Sequence, residues 1–528
     1  WPNASSPSAM TTEPVPPPVP EAPVAITALP IDGDEHRLHP WSWLFVTLQH
    51  LKQFIVPLAV LLFAGRGNRY ELWPMIGVGA LALLSVWQYF TYRYRLLPDR
   101  IEIRSGLLER KLRQIAYARI HNVALHQTLL HRVFNVAEVR LESAGGTKPE
   151  AEMRVLRLPE AMALEQLIRD RGSEPAAVTD GAAPAAPAGT TLLALSTIEV
   201  VKLGLISNRG MIVVAGAVAL SFQVLPERTM GRWLVEGGRE AFGYASGFAT
   251  TWLARALVIA AFVAVALALI RAFSVVLALV RYHGFRLQRQ GRRLTVERGL
   301  LSRSRSSVPR RRIQAWTLRE GLLHRLFARR TLEIDTASAR AGDGQGNANG
   351  QRGLDALAPI APPDTCDAIL RDVAALPAWP PAGWQPLHAR AWLRLLLGDV
   401  VLTALLCGVL AWYFQWWGAL GLLWLPWSAF VARRHAARAG YAVDEALVAV
   451  REGWWSRHWR VAEIGKLQAV ELRRSPLDRG FGMASVWLDT AGAGALAPPL
   501  RLRFLPVDEA ERIHARLAAE IARRPLRW

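Results

Sequence analysis

Two patterns alternate along this chain. Apolar runs come in three pairs, and after each pair the apolar side chains recur at every second position instead. A helix needs about 20 apolar residues to cross about 30 Å of hydrocarbon. Six runs approach that length: 43–64 and 72–92, 211–225 and 252–280, 393–414 and 418–431. His50, Lys52 and Gln53 set the opening turns of the first in the interface. Residues 192–206 are amphipathic, with Leu195, Ile198, Val201 and Leu205 on one side and Glu199 and Lys202 off it, which predicts an interfacial helix leading into the third span. Arg271, near one end of the fourth run, is expected to snorkel, and Trp412, Trp416 and Trp417 sit where an aromatic belt would.

The polar segments read as half-buried antiparallel strands, as in Ile101 and Ile103, then Val139 and Leu141. Turn-rich stretches at 145–152, 340–353 and 492–499 predict hairpin tips. A short strand follows, then a proline at a first helical turn: Pro159, Pro362 or Pro363, and Pro506. Each closing helix has an apolar face: Leu164, Leu167 and Ile168; Ile369, Leu370 and Val373; Ile513, Leu517 and Ile521.

These segments are copies of one unit. Gly106-Leu107-Leu108 recurs as Gly299-Leu300-Leu301 and as Gly453-Trp454-Trp455, at offsets of 193 and 347 residues. The same offsets align Ile120 with Ile313 and Leu467, Arg132 with Arg325 and Arg479, and Phe134 with Phe327 and Phe481. Val139 to Ala144 meets Leu332 to Ala337 and Val486 to Ala491.

The motifs Arg104-Ser105-Gly106-Leu107-Leu108 and Ala118-Arg119-Ile120-His121-Asn122-Val123 resemble the bacterial pleckstrin-homology-like (bPH2) domains of YdbS/YdbT-type membrane proteins. The resemblance covers nearly all of the chain after residue 36. The third copy departs from it, with Trp454-Trp455 and with Gly465-Lys466-Leu467 in place of the Arg-Ile step. It implies, for each copy, a bent seven-stranded antiparallel sheet capped by one C-terminal helix. It implies no reaction, and some members are linked to protection against membrane-active peptides. The expected fold class is therefore an α+β membrane protein, with six transmembrane helices in three pairs and a pleckstrin-homology-like domain after each pair. The layout is a disordered Pro-rich tail at 1–36; membrane segments at 37–92, 192–280 and 391–432; β-domains at 93–171, 281–376 and 433–525; and linkers at 172–191 and 377–390.

Charge sets the expected orientation. Lys and Arg outnumber Asp and Glu by 63 to 43, for a net +20, and arginines crowd the ends of the second, fourth and sixth runs: Arg93 and Arg95, Arg281 and Arg286, Arg433 and Arg434. All three domains and both termini are expected in the cytoplasm, on an inner membrane. The two cysteines, Cys366 in a polar segment and Cys407 in an apolar one, cannot build a disulfide framework or a cysteine zinc site.

Catalytic chemistry is hard to assemble from these residues. His121, His126 and His131 recur every five positions, about 140° apart on a helix, so they share no face. Asp343 to Asn347 is a poor calcium loop, because Leu354 stands where the bidentate Glu belongs. No phosphate loop, zinc-protease helix or nucleophile elbow occurs, so neither an enzyme nor a cofactor is expected. Asp399 is an intramembrane carboxylate, expected to pair with Arg394 or Arg390. The basic strands offer the main candidate contacts for lipid or a partner: Arg110, Lys111, Arg113 and Arg119; Arg303, Arg305, Arg310, Arg311 and Arg312; Arg457, Arg460 and Lys466. These point to anionic lipid, a protein partner or self-association rather than nucleic acid. The expected role is a scaffold or envelope-protection protein, with a transporter or channel as the alternative. An open sheet edge could also capture a peptide by strand addition.

Overall fold

The computed structural model describes residues 35–42, 91–106, 110–143, 151–171, 189–224, 251–336, 356–374, 376, 379–381, 383–491 and 498–523, with single positions between 44 and 87 and between 236 and 243. Predicted spans one and two, the tail before residue 35 and the calcium-like segment lie wholly or almost wholly outside the described residues.

Among the described residues each copy contributes seven strands. The first has β1 His36–Arg37, β2 Arg93–Leu96, β3 Arg100–Ser105, β4 Lys111–Ala116, β5 Ile120–Gln127, β6 Val136–Ser143 and β7 Ala151–Arg157. The second has β8 Thr190–Ala194, β9 Arg286–Gln290, β10 Arg293–Arg298, β11 Arg303–Pro309, β12 Ile313–Glu320, β13 Arg330–Thr336 and β14 Ala356–Ala361. The third has β15 Gln385–Pro386, β16 Gly440–Val443, β17 Leu447–Glu452, β18 Arg457–Glu463, β19 Leu467–Arg473, β20 Met483–Thr490 and β21 Leu500–Pro506. A helix closes each copy, at Leu158–Arg171, Pro363–Val373 and Val507–Ala522.

Two features depart from the sequence expectation. In copies two and three the first strand precedes the helices, which are thus inserted between strands one and two of a β-domain; in copy one the stretch between β1 and β2 lies almost wholly outside the described residues. The predicted linkers at 172–191 and 377–390 thus end in β8 and β15, each hydrogen-bonded to a strand beyond the helices. The end of the predicted tail does the same through β1, and Glu35 beside it draws in Arg93 at 2.6 Å, Arg95 at 2.7 Å and Arg104 at 3.2 Å.

The second departure is that no copy closes a seven-stranded sheet of its own. The order β7-β6-β5-β11-β10-β9-β8 joins three strands of copy one to four of copy two, and β14-β13-β12-β18-β17-β16-β15 repeats this for copies two and three. A four-stranded sheet β1-β2-β3-β4 and a three-stranded sheet β19-β20-β21 complete the set. The apolar core crosses the second seam, where Trp316, Leu318 and Leu332 of copy two pack with Ala449, Trp459 and Val461 of copy three. Burying a large apolar side chain contributes about 1.5–3 kcal/mol, so these residues weld the copies.

The recurring glycine has a local cause. Gly106, Gly299 and Gly453 all take positive φ, at 111°, 113° and 88°. A Cβ on Gly299 or Gly453 would lie 1.9 Å from the carbonyl oxygen three residues on, so only glycine fits. The predicted apolar faces of the closing helices are buried, apart from partly buried Leu167 and Ile521. Cys366 lies on the buried face of its helix, despite the polar sequence around it.

Among the described residues two helices are long and apolar enough to cross a membrane, Trp252–Tyr282 and Ala391–Trp412. This stands against six predicted spans. The third run gives a described helix of 16 residues, Arg209–Val224, and the sixth divides into a 3-10 segment, Gln415–Leu423, and a helix, Trp424–Arg438. The predicted interfacial helix forms at Thr197–Ile206, with Val200, Leu203 and Ile206 turned into the protein and Ile198 and Leu205 outward. A Cβ on Gly204 would come 2.5 Å from the Cα of Val275, so glycine lets this helix lie against Trp252–Tyr282.

Candidate functional site

The helix-side end of copy two brings an apolar helix, a tight turn and a cluster of guanidinium groups to one place. Gly299 and Leu300 donate their backbone N–H groups to the carbonyls of His283 and Val280, at 2.9 Å each. The Gly-Leu-Leu turn is therefore bonded to the last turn of Trp252–Tyr282, and both leucine side chains are exposed. Tyr282, buried at that helix end, has Arg209, Arg281 and Arg298 around its ring, with guanidinium carbons 5.3, 5.9 and 5.5 Å from the centroid. Such contacts hold charge over an aromatic face.

Copy three repeats the arrangement with other residues. Trp454 packs edge-on against Phe430 at 5.5 Å, Trp455 is exposed, Arg434 lies 5.3 Å from the Phe430 ring, and Arg433 lies 4.3 Å from that of Trp392. The Trp-Trp departure thus keeps an exposed apolar tip beside arginines. Sequence reading singled out neither Tyr282 nor Arg209 and Arg298. Their signal was the equivalence of the Gly-Leu-Leu turn to a position adjoining a span end, which a linear pattern does not display.

The predicted basic residues divide into two groups. Arg110, Lys111 and Arg113 lie exposed at the start of β4, Arg119 is exposed in the 3-10 turn that follows, and Arg303 and Arg311 are exposed in copy two. Arg310 and Arg312 are half-buried beside Arg311. The others serve the seams. Arg305 lies 3.8 Å from Glu165 of copy one, Arg457 pairs with Glu320 at 3.2 Å, and Lys466 donates to the Arg311 carbonyl at 2.7 Å. Arg460 is buried against Asp335 and Thr317. Being spent on internal partners, these four are not a free cationic surface.

One further expectation is corrected. Arg394 pairs with Asp478 at 2.8 Å rather than with Asp399, fastening the helix Ala391–Phe414 to copy three. Asp399 is exposed and has no ion-pair partner among the described residues. Arg271 donates its Nη1 to the carbonyls of Leu205 and Ser207 and to Asn208 Oδ1 at 3.0–3.2 Å. It caps the C-terminal end of Thr197–Ile206, where helix carbonyls lack partners. Of the three histidines, His126 meets Ser302 at 3.1 Å across the first seam and His131 meets Thr128 at 2.6 Å; the His121 side chain lies outside the described residues. No group of three His, Cys, Asp or Glu that could hold a metal occurs among the described residues.

Comparison with known proteins finds the same threefold repeat. The Bacterial PH domain family matches residues 46–172, 247–361 and 390–521, one segment per copy. The chain is 24% identical over 423 residues to the UPF0699 transmembrane protein YdbT of Bacillus subtilis (strain 168), covering 75% of this chain and 80% of that one. No solved structure matches. Two outward-facing apolar helices and this relative make the chain a membrane-associated protein. With three matched segments spanning most of its length, the chain belongs to the bacterial PH domain family.

Proposed function

We propose that this is a non-enzymatic inner-membrane scaffold whose PH-like domains lie flat on the cytoplasmic leaflet and bind anionic lipid headgroups. In this reading six helices cross the bilayer in three pairs, and each domain straddles its pair because strand one precedes the helices and strand two follows them. The observation that carries it is the exposed Leu300-Leu301 turn, bonded to the end of an apolar helix beside Arg209, Arg281 and Arg298. An apolar tip at that height enters the interface while the guanidinium groups meet phosphates, each charge contributing about 1 kcal/mol. Exposed Arg303, and Arg110, Lys111, Arg113 and Arg119 of copy one, extend the basic surface. A scaffold of this kind suits envelope protection, since it spreads one chain over a wide area of inner leaflet.

The full chain is the right object to test, because an isolated domain would expose strands that pair across a seam. Purified in neutral detergent and offered mixed lipids, the protein should retain anionic lipid in native mass spectrometry. Arg209→Gln with Arg298→Gln should lower that retention about fivefold per charge. Equal retention of neutral and anionic lipid would refute the reading.

A further inference from the structure

The two seams share one register. In the first, Gln127 faces Arg303, Leu125 faces Arg305 and Val123 faces Ser307. In the second, Glu320 faces Arg457, Leu318 faces Trp459 and Trp316 faces Val461. The repeat offsets carry each pair of the first seam onto a pair of the second. An arginine from the one-turn helix after each receiving strand also crosses the seam to the next copy's tight turn: Arg132 donates to the Leu300 carbonyl at 3.0 Å, and Arg325 to the Trp455 carbonyl at 3.1 Å.

Each seam joins three strands of one copy to four of the next. Two half-sheets remain: the four strands that end at β4 in copy one, and the three that end at β19 in copy three. They are the same two halves that meet at each seam. Carried onto these edges, the shared register sets Leu472 opposite Leu112 and Glu471 opposite Arg113. Leu112 is 54% exposed, a large apolar side chain on an edge strand, and the equivalent pair in the second seam is Leu318 with Trp459. Arg113 and Glu471 occupy the positions of Arg460 and Thr317, which are hydrogen-bonded across that seam at 3.0 Å. Glu471 already pairs with Arg473 of its own chain at 2.7 Å on the exposed surface, so Arg113 of a second copy would share that carboxylate. Arg479 is the third of the arginines at this position. It is exposed, and its guanidinium has no partner among the described residues. The register also sets Lys111 opposite Arg473, a like-charge pair that salt would screen.

We propose that this chain assembles head to tail, with β19 of one chain pairing antiparallel with β4 of a second copy to complete a third seven-stranded sheet. The contact uses two different surfaces, so it is heterologous and propagates into a ring or a row. An edge strand is a template for such pairing, and here the template has already been used twice within the chain. The inference stands apart from lipid binding, because strand pairing needs no headgroup.

Two differently tagged full-length chains, Leu112→Cys and Leu472→Cys, both carrying Cys407→Ala, would be mixed in neutral detergent and treated with a short thiol cross-linker. The expected product is a heterodimer carrying both tags, absent when either chain is treated alone. Glu471→Arg should weaken self-association about fivefold in sedimentation, and Arg113→Glu added to it should restore the loss. Folded monomers without the mixed product would overturn the proposal, as would cross-linking of the Leu112→Cys chain to itself or only to an unrelated protein. Loss of lipid retention with the mixed product intact would count against the lipid reading alone.

Discussion

Arg460 of copy three reaches Asp335 of copy two across their seam at 2.6 Å, with 1% of its side chain exposed. Thr317 takes a second guanidinium bond at 3.0 Å. Removing one member of a buried pair strands the other charge, at a cost of about 3–5 kcal/mol. Asp335→Asn should therefore lower the thermal midpoint of the purified protein sharply, whereas Arg460→Met combined with Asp335→Leu should regain most of the loss. Equal destabilisation by the single and double variants would show that the pair does not hold the seam.

The same seam should loosen in mild acid. His458 lies in β18, and burial, with Arg319 and other cations nearby, lowers its pKa to about 4. Glu452, 3.7 Å away, is no strong counter-charge, since burial pushes its own carboxyl up. The unfolded chain regains the ordinary histidine value of 6.5 and binds more protons, so stability should fall as pH drops from about 6.5 towards 4. The imidazole is a quarter exposed, so the loss should be about 1–2 kcal/mol after allowance for screening. Between pH 6.5 and 4 the thermal midpoint of the wild type should fall more steeply than that of His458→Gln, which lacks the titrating group; parallel falls would count against the histidine.

A conformational comparison within the repeat predicts a stabilising change. Asn135, Ala328 and Gly482 occupy one position, with φ of 50°, 50° and 70°. Alanine is strained in this left-handed region, so Ala328→Gly should stabilise copy two by about 1 kcal/mol, read as a raised unfolding midpoint. Gly299→Ala, at φ 113° with its Cβ 1.9 Å from the Ser302 oxygen, should lower it.

Arg271 closes the end of Thr197–Ile206 with three acceptors. Arg271→Leu leaves those carbonyls without a charged donor, a loss of about 1.5–3 kcal/mol. The helix should detach from Trp252–Tyr282 more readily, and trypsin should cut at exposed Arg209 faster than in the wild type. Unchanged cleavage would mean that Gly204 and its neighbours hold the helix without the arginine.

Much of this protein is legible in one dimension. The three copies, the positive-φ glycine, the strand alternation at Ile101 and Val139, and the closing helices with Leu164 or Ile513 inward all follow from local sterics and from which side chains avoid water. Such features repeat at fixed offsets, so the sequence displays them. What only the tertiary structure decided is where the strand edges go. Backbone hydrogen bonds carry no side-chain signature, so nothing in Ile120–Gln127 announces that it meets Arg303–Pro309 rather than another edge of its own copy. The insertion of helices after β8 and β15 is hidden for a similar reason, since strands of five and two residues are too short to show a period. The fate of each arginine follows from that pairing: Arg460 is buried because β18 lies against β12, while Arg113, its equivalent in the first copy, stands on an edge strand with its side chain exposed.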